Sequence, residues 1–325
     1  MKDFEYTPQV SIGMPVCNGE RYLKDAIDSL LNQDFRGFEL IISDNASTDS
    51  TQSICRGYLQ KDNRVRYYKN DVDVGVICNF NKVLQLARGK YFMWAACDDI
   101  WEPSFVSSLI NKLEDCPRHI LAFCKFKIMN NERNTIASIN TNWTKYFDAP
   151  RFFREMYMIF IHYDSQKACI IYGLIRREFL LKIGGFYDGH GNDHSQGCDI
   201  VTLLRLVSYG PFVFIDKPLF HYEYREACAY QRKKIVSYPD FAIKNRFLPK
   251  VTKNFSQFKT DISYKPLNEK YYAAFKEVIK KSPINNIEKI LLCICVDIEK
   301  YFEPSKIYKI LLLYSKALFR KLKYA

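Results

Sequence analysis

The stretch Tyr91-Phe92-Met93-Trp94-Ala95-Ala96-Cys97-Asp98-Asp99 runs from an apolar segment straight into two carboxylates. Tyr91 to Ala96 has the composition of a strand, which places Asp98 and Asp99 at its carboxyl end. Adjacent carboxylates repel each other unless a cation lies between or beside them. A divalent ion such as Mg²⁺ or Mn²⁺ is hard, prefers oxygen ligands and keeps substrate phosphates in its shell. Bound at Asp98-Asp99, it would neutralise a diphosphate leaving group. A solvated turn closed by Pro103 is the alternative that the pair alone leaves open.

Working outward, the same rhythm recurs upstream. Gln9 to Pro15 predicts a strand that turns at Cys17-Asn18-Gly19, after which Tyr22, Ala26, Ile27, Leu30 and Leu31 recur at helical spacing. Phe38 to Ile42 is a second apolar run, ended by Ser43-Asp44-Asn45, and Ser50 to Leu59 reads as a helix. Val65 to Tyr68 predicts a third strand, Asn70 to Gly75 a polar loop, and Asn79 to Ala87 a helix stopped at Gly89. Such alternation argues for an α/β fold built on a mostly parallel sheet. Ligands in such sheets bind beyond the carboxyl ends of the strands. The polar clusters at Cys17–Glu20, Asp44–Asp49, Asn70–Gly75 and Asp98-Asp99 all fall there.

Downstream the pattern is looser. Phe123 to Met129, Thr135 to Ile139 and Ile170 to Ile175 are expected to be strands, and Pro211 to Ile215 an edge strand. Phe152 to Ile161 and Asp199 to Ser208 are expected to be helices, with a loop over Asp188 to Gly197. Beyond about Arg232 the composition shifts toward Lys, Tyr and helix-like apolar repeats, which predicts a domain over residues 1–235 and a helical basic extension over 236–325.

The formal charge of the 325-residue chain is +12, which favours phosphate-bearing partners. No zinc-finger spacing, helix-turn-helix signal or RNA-binding aromatic motif accompanies it, so nucleic acid is not expected as a partner. No G-x-G-x-x-G follows the first strand, which argues against a dinucleotide oxidoreductase. Eleven cysteines without a C-x-x-C pair sit mostly in apolar runs, among them Cys55, Cys116, Cys124, Cys169, Cys293 and Cys295, as suits a reducing compartment. The polar opening residues carry no secretory signal, and the longest apolar run, Ile290 to Val296, is far short of a membrane span. A cytoplasmic protein is expected, with attachment to the inner face of the membrane left open.

Asp44 closes its strand, where a carboxylate can accept hydrogen bonds from a base or ribose, whereas Ser47 and Asp49 have the character of helix caps. His190, Asp193 and His194 provide too few ligands for zinc and fit a lid better. His221 is placed either near a metal or leaving diphosphate, or in packing beside Phe220 and Tyr222. Arg225 faces either a phosphate or a surface carboxylate.

Several of these segments, in order, resemble family-two glycosyltransferases. Val10 to Glu20 is similar to the family's opening strand and loop, and Glu39 to Asp49 to its second strand and nucleotide loop. Gly75, Asn79, Ala87 to Trp94 and Asp98-Asp99-Ile-Trp-Glu-Pro103 continue the likeness, which is densest over residues 8–110. Tyr172-Gly-Leu-Ile-Arg-Arg, Ile183-Gly-Gly-Phe, Cys198-Asp199, Pro218-Leu219 and Arg225 resemble its later segments. The resemblance implies a GT-A fold, a nucleotide-sugar donor (a UDP-sugar by default), a divalent metal and inversion at the anomeric carbon. It further implies donor contacts at Pro15, Asn18, Glu20, Asp44 and Asn79, metal ligation by Asp98, Asp99 beside the donor sugar, and Asp199 as general base. The acceptor would be a saccharide or lipid-linked saccharide. Asp199 as a helix N-cap is the competing reading. Three positions depart from the family pattern: Ala96 stands where the first Asp of Asp-x-Asp is usual, Cys198 where Glu is common, and Cys17 where Tyr is common. Ala96 opens a second reading, a nucleotide-sugar-binding homologue without catalysis.

In the last segment Ile307, Ile310, Leu311, Tyr314, Leu318 and Leu322 form one helical stripe, and Lys306, Lys309, Lys316, Arg320 and Lys323 oppose it. This is the pattern of a helix lying on an anionic membrane surface, or of one packed on the domain with its lysines in water. If residues 305–325 bind lipid, the protein will sediment with anionic liposomes at low salt and lose that binding when they are deleted. Equal sedimentation without the segment would end this reading.

Overall fold

The apolar runs become strands because alternate side chains enter two different cores. The computed structural model describes residues 7–130, 132, 134–138, 144–160, 165–188, 198–223, 269–281 and single positions between 286 and 296. Strand β1 (Val10–Val16) sends Val10, Ile12, Met14 and Val16 into one core. On its other side a Cβ on Gly13 would stand 2.7 Å from Phe92 and from Val83, so glycine lets helix α3 (Val76–Gln85) lie this close. β2 (Phe38–Asp44) and β4 (Tyr91–Trp94) divide likewise, with Phe38, Leu40, Ile42, Tyr91 and Met93 in the first core and Ile41, Phe92 and Trp94 in the second.

β3 (Val65–Lys69), β2, β1 and β4 lie side by side in that order and run parallel. Helices α1 (Leu23–Leu31), α2 (Thr51–Lys61) and α3 make the crossovers. The alternation read from the sequence is therefore present, and the carboxyl ends of the parallel strands share one edge.

The second half adds β5 (Ile100–Trp101), α4 (Phe105–Asp115), β6 (Leu121–Met129), β7 (Thr135–Ser138), α5 (Arg151–Phe160), β8 (Leu174–Arg176) and α6 (Arg177–Lys182). Then come α7 (Cys198–Val207), β9 (Phe212–Glu223) and α8 (Glu269–Lys281), and two 3₁₀ turns, η1 (Thr144–Asp148) and η2 (Ser165–Tyr172), flank α5. From β4 the sheet continues through β8, β6, β9 and β5, with β7 paired to β6. α1, α2 and α4 cover one face, and α3 and α5 to α8 contribute to the core on the other.

Two expectations are corrected. Ile170 and Ile171 lie in η2, and only Leu174–Arg176 is strand. The Gly173 N–H turns back to the Ile170 carbonyl (2.9 Å), and a Cβ on Gly173 would meet the Ala122 oxygen at 2.4 Å, so the chain bends there to reach β6. An apolar run by itself does not distinguish a helical turn from a strand. β9 is also longer than expected and is interior, lying between β6 and β5. The register with β6 slips around Lys125, opposite Pro218, and this irregularity accommodates a residue that has no N–H to give.

Residues 189–197, the expected boundary near 235, Arg225 and 305–325 lie outside the described residues. α8 packs on α7, and its Phe275 and Ile279 are buried in the same core as Leu203 and Val207.

At the start of the strands Glu39, only 3% exposed, holds the sheet to the α3–β4 turn. It accepts hydrogen bonds from the Ser11 hydroxyl (2.7 Å) and the Arg88 backbone N–H (2.9 Å), and it pairs with Arg66 (2.7 Å) and Arg88 (3.2 Å). Burial would raise its carboxyl pKa, but bonds from Ser11, Arg66 and Arg88 outweigh burial and hold it below the usual 4.5. Glu39 thus adds stability that is complete above about pH 4.5 and is lost as pH falls through the lowered value. Glu39→Ala should cost about 2–3 kcal/mol in urea unfolding at pH 7, less than the roughly 3–5 kcal/mol of fully enclosed pairs because the Arg88 side chain is 42% exposed. The deficit should narrow at pH 3.

Candidate active site

The site begins where β1 and β2 end, because two loops there are sewn together through their backbones. The N–H groups of Asn18, Gly19 and Glu20 donate to the Ser47 hydroxyl (2.9 Å), the Thr51 hydroxyl (2.8 Å) and the Asp49 carboxylate (3.0 Å). In return the N–H groups of Thr48 and Ser50 donate to the Asn18 side chain (2.9 Å) and the Glu20 carboxylate (3.0 Å). Asn18 has φ +51°, a left-handed conformation that asparagine tolerates and that the turn requires. Burial would raise the Asp49 pKa, yet hydrogen bonds from the Thr51 hydroxyl and the Glu20 N–H hold it below its ordinary value.

Asp44 lies beneath this seam and is wholly buried. One carboxylate oxygen accepts from the Ser47 N–H (2.9 Å) and the other from the Tyr67 hydroxyl (2.7 Å). Asn79, also buried, donates to the Ser43 carbonyl (2.8 Å) and accepts from the Ser43 hydroxyl (2.6 Å). Both residues therefore fix the loop from below. Cys17, Asn18 and Glu20 are exposed above it, and Pro15 is partly buried. The third loop joins through Asn45, whose side chain accepts from Asn70 (2.8 Å) and the Val74 N–H (3.0 Å) and donates to Asp73. Burial, then Asp73, Asp44 and Asp49, push the Cys17 thiol above its ordinary pKa, so it remains a neutral thiol within an acidic rim.

The acidic pair follows β4. Asp99 is 1% exposed and accepts from the Glu223 N–H (2.9 Å), whereas Asp98 is partly exposed. A Cβ on Gly19 would lie 3.4 Å from the Cys97 sulfur, so the first loop abuts the segment carrying the pair. β5 then pairs antiparallel with β9, with Ile100 opposite His221 and Trp101 opposite Phe220. This pairing returns a segment more than a hundred residues away to the pair. His221 Nε2 lies 2.7 Å from Glu102 Oε1, so its ring is held by that carboxylate. Asp199 is the second residue of α7, within its first turn, and its Oδ1 accepts from the adjacent Ile200 N–H (2.8 Å).

Glu223, Tyr67 and Asp73 carry no motif of their own in the sequence. Asp73 belongs to a polar loop already marked, but Glu223 becomes visible only through β9. Among the described residues no three His, Cys, Asp or Glu side chains converge as a metal cage. A magnesium-like ion needs only one or two carboxylates when phosphates and water complete its shell. Asp98, partly exposed beside the buried Asp99, fits that kind of site.

The sheet, its flanking helices and this acidic rim define a mixed α/β domain of the GT-A type. The fold resembles Staphylococcus aureus TarS residues 1–349 in complex with UDP (TM-score 0.54, 17% identity, 93% of this chain and 91% of that one). It also resembles the mannosyltransferase PcManGT of Pyrobaculum calidifontis in complex with GDP-Man and Mn²⁺ (TM-score 0.50, 16% identity, 95% and 85%). Residues 11–184, over half of the chain, match glycosyl transferase family 2, and the chain belongs to that family. An uncharacterized glycosyltransferase of Rickettsia typhi is 30% identical over 139 residues, 42% of each chain. The GalNAc(5)-diNAcBac-PP-undecaprenol beta-1,3-glucosyltransferase of Campylobacter jejuni is 31% identical over 118 residues, 36% of this chain and 38% of that protein. The likeness thus spans about two fifths of the curated relatives' length.

Asp44→Ala should leave the Ser47 N–H and the Tyr67 hydroxyl without their acceptor, at a cost of about 1–3 kcal/mol in chemical unfolding. Thr48→Ala removes only an exposed 3.4 Å hydroxyl contact to Asn18 and should be close to neutral.

Proposed function

We propose that this protein is an inverting glycosyltransferase that moves a sugar from a nucleoside-diphosphate sugar, by default a UDP-sugar, to an acceptor hydroxyl in cell-surface polysaccharide or glycolipid synthesis. The observation that carries the reading is the meeting of three strand-end loops with the Asp98-Asp99 segment on one edge of a family-two fold. The exposed Asn18 and Glu20, with Pro15, would line the donor, and Asp44 and Asn79 would act from below by fixing the loop. Asp98 would hold a divalent cation, Mn²⁺ or Mg²⁺, with Asp99 next to the donor sugar. Bound there, the cation would supply positive charge to the departing diphosphate.

In a single displacement the acceptor oxygen attacks the anomeric carbon as the bond to the diphosphate breaks, and the acceptor's proton must go to a base. Asp199 is assigned that proton, and a positioned base contributes typically about 10²–10⁴-fold. The Campylobacter relative is named for an undecaprenol-linked substrate, which supports a saccharide or lipid-linked saccharide acceptor. A site at the inner face of the membrane, reached through residues 305–325, would suit such an acceptor. No helix of the described residues is long and apolar enough to cross a membrane.

The second reading, a nucleotide-sugar-binding homologue without catalysis, rests on Ala96. A thermal-shift panel of nucleotide sugars with and without Mn²⁺ should show a donor-specific rise that depends on the metal. Release of nucleoside diphosphate from that donor should fall at least about 10²-fold in Asp98→Ala and in Asp199→Ala. Turnover surviving both changes would refute the assigned roles. Metal-dependent binding without turnover across a broad acceptor panel would favour the second reading.

A further inference from the structure

Three consecutive residues of α3, Asn79, Phe80 and Asn81, each bind a different part of the site. Asn79 grips Ser43 at the end of β2, the strand that carries Asp44. The Phe80 carbonyl accepts from the indole of Trp94 (3.0 Å), on the strand that leads to Asp98-Asp99. Asn81 reaches a segment 105 residues away and clasps the backbone of Phe186. Its carboxamide accepts from the Phe186 N–H (2.8 Å) and donates to the Phe186 carbonyl (2.9 Å).

The turn that Asn81 holds is shaped for so close an approach. Gly184 and Gly185 both take positive φ (79° and 85°), and a Cβ on Gly185 would collide with the Asn81 oxygen. The Phe186 ring packs on Phe80 and on Trp94, with centroids 4.9 Å and 5.3 Å apart. From this turn the bonds continue into α7. The Tyr187 N–H donates to the buried Thr202 hydroxyl (2.9 Å), which in turn donates to the Cys198 carbonyl (2.6 Å). Cys198 opens α7 and immediately precedes Asp199. An unbroken path of hydrogen bonds and main chain thus runs from the helix under the acidic rim to the residue assigned the acceptor's proton.

A base and a donor carried on separate segments react efficiently only when their spacing is fixed, and an error of about 1 Å can cost about 10²-fold. We infer that Asn81 is a positioning residue: by holding the 183–186 turn to α3, it sets Asp199 against the donor site. The inference rests on the transferase reading above, with Asp199 as the base. It predicts a loss of turnover that leaves nucleotide binding intact, because the bonds that join the rim loops do not pass through Asn81.

The test is Asn81→Ala, made in the wild-type chain and in Asp199→Ala. The activity read is release of nucleoside diphosphate from the nucleotide sugar that protects with Mn²⁺ in the thermal-shift panel. In the wild-type chain its kcat should fall about ten- to a hundredfold. Calorimetric binding of UDP with Mn²⁺ (GDP where the donor is a GDP-sugar) should keep its wild-type affinity. In Asp199→Ala the same change should cost no further turnover, as expected of groups that act as one unit. Thr202→Val cuts the path one link further on; it should repeat this pattern and serves where Asn81→Ala does not fold. Equal losses in both backgrounds, an unchanged kcat, or a parallel loss of diphosphate affinity would overturn the positioning role. Undiminished turnover in Asp199→Ala alone would remove the base assignment, and this inference with it.

Discussion

A carboxylate taken out of water must be met by donors, and at the end of β2 this rule organises the rim. Asp44 is fully buried, and its charge is met by the Ser47 N–H and the Tyr67 hydroxyl. Those bonds tie the loop after β2 to β3, and Ser47, Thr51 and Asp49 then receive the N–H groups of the loop after β1. Asn45 extends the lock to the loop before α3. The exposed groups above, Asn18 and Glu20, therefore stand on a fixed base, which would lower the entropic cost of the donor binding proposed for them.

The opposite end of the strands shows the same physics with a different purpose. Glu39 meets Arg66 and Arg88 and the hydroxyl of Ser11, which join neighbouring strands to the turn before β4. One buried acid shapes the candidate site, and the other holds strands β1, β2 and β3 to the turn before β4. Burial and charge alone do not separate the two roles; position relative to the strand ends does.

The parallel half of the fold was legible because its strands are short, apolar and punctuated by polar loops at regular spacing. The family match from residue 11 onward covers that half and reaches residue 184. The later half was less legible for identifiable reasons. Ile170 and Ile171 are as apolar as a strand but wind into a 3₁₀ turn, because Gly173 must pass close over Ala122. The expected strand ended at Ile215, yet β9 continues through Pro218, where the register with β6 slips. His221 was read with two possible environments, and Glu102 supplies the contact at 2.7 Å.

The sequence by itself determined the strand–helix rhythm, the placement of polar clusters at strand ends and the adjacency of Asp98 and Asp99, since these depend on neighbours a few residues apart. The fold alone set Asp44 and Asn79 under the rim and brought Glu223 and His221 of β9 beside Asp99 and Ile100. Those facts depend on β5 pairing with β9 and on hydrogen bonds from Tyr67 and Asn79 to the end of β2, contacts between segments tens to more than a hundred residues apart. Local periodicity carries no record of such pairings, because strand partners are selected by the packing of the whole sheet.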